Sequence, residues 1–104
     1  MLKRNQVLLF DWQDEYIRFL TKRHDLSFSE VIRLEISLAT IATVSKLYPN
    51  FKANLTISEI GNAFKGATKK HVEEMEVRNL VSKIYFEARK AAEFRMNAEQ
   101  HKKQ

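Results

Sequence analysis

The spacing of apolar and polar positions changes once along this chain, at Phe10. From Lys3 to Phe10 a polar stretch, Lys3-Arg4-Asn5-Gln6, runs into a compact apolar one, Val7-Leu8-Leu9-Phe10. That is the pattern of a short β-strand entering a helix, whereas nearly everything after it is spaced for helices. Alternation along the strand puts Val7 and Leu9 on one face, toward a core. Arg4, Gln6 and Leu8 fall on the other, with Lys3 at the edge. A lone strand presents a row of unpaired N–H and C=O groups and needs a mate. The nearest mate is the same segment of a second copy, which predicts an antiparallel two-stranded ribbon across a two-fold axis and a homodimer.

The helices that follow are marked by their ends. Asp11 can cap a first helix reaching about Arg23 or His24, with Asp14 and Glu15 in its first turn, where the helix dipole favours negative charge. Trp12, Tyr16, Ile17, Phe19 and Leu20 make a broad apolar stripe along it. Ser27 and Glu30 form a capping box for a second helix, and Leu26 and Val31 close a hydrophobic staple around it. From Val31 to Tyr48 apolar residues occur on every side, including Ile32 and Ile36, so this helix must be covered on two surfaces: a dimer core and the C-terminal half. Pro49 ends it, because the ring biases Tyr48 away from the helical region. Residues 50–55 read as a loop. Thr56 and Glu59 repeat the capping box ahead of a short helix expected to stop near Gly66. From about Lys69 a long helix runs to the end, its seam of Val77, Val81, Ile84, Ala88 and Ala91 spaced 4-3-4-3. Its small Ala residues allow another helix to approach. The chain divides into residues 1–48, a binding and dimerisation region, and 49–104, a helical extension of the same core.

Composition narrows the class. At 104 residues and 44% hydrophobic, with two Gly, one Pro and no Cys, the chain suits a single, mainly helical domain without disulfides or thiolate metal sites. The N-terminus lacks the apolar core of a signal peptide. The longest apolar stretch, from Ile36 to Ser45, falls short of the ~20 residues that span a bilayer, which predicts a cytoplasmic protein with no membrane partner. A net charge of +5 favours polyanion partners. Its distribution is uneven: residues 1–49 hold seven Lys/Arg against six Asp/Glu, and residues 50–104 hold eleven against seven.

The order of strand, capped short helix, and then Asp25-Leu26-Ser27-Phe28-Ser29-Glu30-Val31-Ile32-Arg33 resembles the ribbon-helix-helix superfamily of DNA-binding proteins, over roughly residues 3–46. The resemblance implies a mainly α fold: a ribbon-helix-helix dimer with C-terminal helices added. By that resemblance Arg4, Gln6 and Leu8 would read bases in the major groove. Arg there can take guanine O6/N7, Gln adenine N6/N7, and Leu a thymine methyl. Ser27, Phe28 and Ser29 would grip a phosphate at the start of the second helix, beside Lys3, and Val7, Leu9, Ile32 and Ile36 would form the dimer core. Two positions depart from the family pattern. Asp25 stands where the turn usually carries Gly, and Leu8 where a polar reader is commoner.

Other chemistries find no footing. His24, His71 and His101 have no metal-ligand spacing, and Glu73, Glu74 and Glu76 no Glu-x-x-His pattern. Neither a Gly-rich phosphate loop nor a nucleophile motif occurs, so neither catalysis nor a cofactor is expected. The expectation is a homodimeric, sequence-specific double-stranded DNA binder acting as a transcriptional repressor or similar regulator. Two alternatives remain open: an antitoxin or an accessory protein of plasmid transfer or partition, and a helical interaction or scaffold module that does not bind DNA. The last helix could also carry a higher-oligomer contact or a protein partner.

Overall fold

A computed structural model describes residues 2–56, 58–60 and 71–102, with the side chains of the last helix described over 78–100. Three helices carry the architecture: α1 (Asp11–His24), α2 (Phe28–Leu47) and α3 (His71–Lys102). Helix α2 lies between the other two and packs more extensively on α3 than on α1.

Each boundary has a local chemical cause. At the start of α1 the Phe10 N–H donates to Gln13 Oε1 at 2.9 Å, and the Phe10 carbonyl accepts from the Gln13 and Asp14 amides. The cap is therefore Phe10, not Asp11. Asp11 is instead the first helical residue, still at the positive end of the helix dipole. Helix α1 ends at Asp25, in the left-handed region at φ 51° and ψ 49°, with its N–H returned to the Thr21 carbonyl. Asp reaches that region more readily than most residues, so no Gly is needed. The capping box at α2 is complete. Glu30 N–H donates to Ser27 Oγ and Ser27 N–H to Glu30 Oε1, each at 3.1 Å. Helix α2 stops at Tyr48, before Pro49, with the Tyr48 amide donating to the Val44 carbonyl.

The chain then returns along α3. Tyr48 and Phe51 place their rings 5.6 and 5.5 Å from that of Phe94. The Asn54 N–H donates to Glu87 Oε1 at 2.9 Å, tying the loop to the helix. Thr56 and Glu59 make the second capping box, and residues 58–60 are helical. The expected end of that short helix near Gly66, and the Lys69 start of the long one, lie outside the described residues.

Two apolar clusters hold the helices together. Leu34 and Ile41 of α2 pack with Val81, Ile84 and Ala88 of α3, joined by Leu38, Leu55 and Tyr85. Ile17 and Leu20 of α1 pack with Val31 of α2, and Ile32 and Phe28 close over them. Leu26, in the connection between α1 and α2, touches both clusters. Buried side chains of this size each contribute about 1.5–3 kcal/mol relative to exposure.

The ribbon-helix-helix fold expected from the sequence is not what is observed. There is no strand among the described residues: residues 2–10 carry no regular secondary structure, and the backbone of residues 2–9 makes no hydrogen bond there. Extended backbone becomes a strand only when a second extended segment supplies donors and acceptors alongside it. The described chain holds no such second segment, and the stretch remains an unpaired arm leading into three helices. The mainly helical character is as expected.

Candidate nucleic-acid interface

The arm places its polar and apolar residues together on the surface. Lys3, Arg4 and Gln6 are exposed, and so are Val7 and Leu8, Leu8 completely at 100%. Leu9 is half-buried. Alternation along the arm therefore does not sort its side chains into an inner and an outer face within one chain. An outward Leu8 is as the sequence suggested; Val7 also faces solvent, since no core lies beneath it. Of the other residues assigned to a core or dimer contact, Ile32 packs beside the Ile17–Leu20–Val31 cluster, whereas Ile36 is 61% exposed on α2.

Near its C-terminal end the arm borders the start of α2. Val7, Leu8 and Leu9 share a shallow cleft with Phe28, bringing the proposed base-reading and phosphate-gripping segments side by side. Ser27 and Ser29 are exposed there and Phe28 is half-buried. In the first turn of any helix the N–H groups lie outside the i→i−4 ladder, so the Phe28 and Ser29 amides offer donors to an anion. Glu30 competes for that position. Donation from the Ser27 N–H, and then from its hydroxyl, holds the Glu30 carboxyl below the usual carboxylate range, so it is ionised at neutral pH.

The electrostatic character differs between the two ends of the arm. At the cleft, Asp11, Asp14 and Glu15 line the wall, offset by Arg18, which pairs with Asp14 at 2.9 Å. Arg18 also sits over the Phe28 ring, 5.1 Å from its centre. At the other end Leu2, the neighbour of Lys3 and Arg4, borders a groove with Arg33, Arg89 and Tyr85. Here the two lining cations belong to separate helices, Arg33 to α2 and Arg89 to α3. The Tyr85 hydroxyl donates to the Glu30 carbonyl at 3.3 Å and so ties α3 to the first turn of α2. Burial raises the Tyr85 pKa, an effect opposed by Arg33.

Sequence spacing alone did not single out Arg89 or connect it with Arg33. The Asp14–Arg18 spacing of four residues signals a helix-surface ion pair, but no local signal shows that Arg33 and Arg89, 56 positions apart in the chain, line one groove. Among the described residues no group of three or more His, Cys, Asp or Glu side chains could hold a metal ion. No described helix is long and apolar enough to cross a membrane. Compared with known proteins, the chain matches no protein-family profile, no curated protein and no solved structure.

Proposed function

We propose that the protein binds double-stranded DNA as a homodimer and regulates transcription as an operator-binding repressor or similar factor in the cytoplasm. The observation that carries this reading is the arm. It is an exposed segment without regular secondary structure bearing Lys3, Arg4 and Gln6, with arginines of α2 and α3 at one end and the capped start of α2 at the other. An exposed segment with free backbone groups can enter a groove of the duplex. There Arg4 can take guanine O6/N7 and Gln6 adenine N6/N7, while Leu8 touches a thymine methyl. Lys3 and the Ser27–Ser29 turn supply phosphate contacts that set the register without reading sequence. The acidic wall beside Phe28 keeps phosphate on the Ser27 and Ser29 side of that turn.

Fluorescence anisotropy with a duplex selected from a random pool tests this. Affinity should fall steeply with salt, as counterion release requires. Arg4→Ala and Gln6→Ala should each lose about 1–3 kcal/mol of discrimination between the selected site and a scrambled one. Salt-independent binding, or two variants that discriminate as well as the parent chain, would remove the DNA reading. A second reading, a helical protein-interaction module, is favoured by one specific observation: Trp12, Tyr16 and Phe19 of α1 are exposed in a row.

A further inference from the structure

Two exposed apolar surfaces on this chain carry opposite charges along part of their borders. The first runs along α1: Trp12, Tyr16 and Phe19 follow one another at four- and three-residue spacing on one face of the helix, all exposed, Trp12 at 65%. The face that α1 buries against α2 is a different one, carried by Ile17 and Leu20. Asp11 and Glu15, also exposed, flank the N-terminal half of the aromatic row, and exposed Lys22 and Arg23 lie at its C-terminal end. The second surface is a groove between α2 and α3. Ile36 and Thr40 form its α2 wall, and Ala92 and Met96 its α3 wall, with Ile36 and Met96 exposed. Arg89 and Arg95 border it, each also paired along α3 with Glu93 and Glu99, and no acidic side chain lines it.

We propose that the aromatic row of α1 from one copy docks into the α2–α3 groove of a second copy, and the reverse, across a two-fold axis. An amphipathic helix laid into an apolar groove is a recurrent mode of recognition, its anchors spaced as Trp12, Tyr16 and Phe19 are. Ala92 and Thr40 keep the floor low enough for large rings to enter. Asp11 and Glu15 then meet Arg89 and Arg95, so the occupant's charges suit the rim. Because every chain owns both surfaces, the two-fold makes the contact twice. That doubles the covered surface toward the ~1,200–2,000 Å² typical of stable interfaces. The proposal rests on the self-association half of the preceding reading and is independent of the DNA half.

Trp12 is the single tryptophan of the chain, and it lies within the contact, so its emission reports association directly. The experiment uses the full chain and two variants, Trp12→Glu, which spoils the aromatic row, and Ile36→Glu, which spoils the groove. Both side chains are exposed, and unchanged circular dichroism confirms that each variant folds. Sedimentation equilibrium should give a dimer for the parent chain, with a Trp12 emission that moves to the red on dilution. Each variant alone should dissociate at least about tenfold more readily. An equimolar mixture should regain a one-to-one dimer, since the intact row of Ile36→Glu meets the intact groove of Trp12→Glu. Charge exchange gives an independent check: Glu15→Arg and Arg95→Glu should each weaken the dimer, and the two together should restore it. A monomeric parent chain, single variants that stay dimeric, or a mixture that fails to recombine would overturn the proposal. Loss of DNA affinity with the dimer intact would instead remove only the nucleic-acid reading.

Discussion

Glu87 offers the sharpest test of how the C-terminal half is held in place. It lies in the interior, 2% exposed, on α3. One carboxylate oxygen accepts from the Asn54 amide at 2.9 Å, and the other lies 2.6 Å from Lys90 Nζ. Burial raises its pKa. The Lys90 ammonium and the Asn54 N–H outweigh that and hold the carboxyl below its ordinary range. Glu87→Ala deletes the acceptor of the Asn54 amide, a part-buried bond on an otherwise exposed residue. A hydrogen bond to a charged acceptor is worth about 1.5–3 kcal/mol. The Lys90 side of the pair adds little, because that side chain is 45% exposed and regains water. A total of about 2–3 kcal/mol corresponds to a fall in Tm of roughly 10–20 °C for a chain of this size. Glu87→Gln keeps an amide oxygen for Asn54 and should lose only about 1 kcal/mol. Thermal and urea unfolding followed by circular dichroism measure both changes, and hydrogen exchange at the Asn54 amide locates the damage. The sign with pH follows from the lowered pKa: the contribution of Glu87 is full above the unfolded carboxylate value and is lost as pH falls through the folded one. If Glu87→Ala melted within ~2 °C of the parent chain, or Glu87→Gln were equally damaging, the clamp would not exist as described.

Two further outcomes follow from groups near the proposed interface. Ser27→Ala should cost about 1 kcal/mol by removing the α2 cap, measurable by urea unfolding, and Ser27→Gly only a few tenths. It should also weaken DNA binding without changing the preference between sequences, which anisotropy on matched and scrambled duplexes would separate. His24 is buried at the end of α1, and burial, with the nearby Arg23, lowers its pKa below 6.5. The unfolded chain therefore binds a proton that the folded chain resists, so stability should decline as pH falls from about 6.5 toward the folded pKa. The slope should flatten in His24→Gln, and an unchanged slope would mean that other groups set the dependence.

The ends of α2 and the Thr56 cap were legible in the sequence because the groups that decide them are close in the chain, whereas the α1 cap expected at Asp11 is Phe10. The Ser27–Glu30 and Thr56–Glu59 boxes pair residues three apart, and the Pro49 stop acts on its immediate neighbour. Left-handed Asp25 is a local matter in the same way. The seam of α3 was legible where described, since Val81, Ile84, Ala88 and Ala91 are all buried. Periodicity failed where it had to name a partner. The Trp12–Leu20 stripe read as one apolar face, yet only Ile17 and Leu20 meet α2, while the three aromatic side chains remain outside.

Near the chain's beginning the same distinction has its largest consequence. The pattern from Lys3 to Phe10 favours extended backbone, which is a preference of the residues themselves. Whether an extended segment is a strand depends on what lies beside it, and that is a tertiary fact: among the described residues no second segment pairs with it, and the expected ribbon gives way to an exposed arm. Likewise, the sequence set the charge at +5, but only packing brought Arg33 of α2 and Arg89 of α3 to one groove and left its apolar floor uncovered. Local hydrogen bonding and steric restriction act over a few residues and can be read along the chain. Burial and electrostatic fields depend on distances in space, which only the packed helices define.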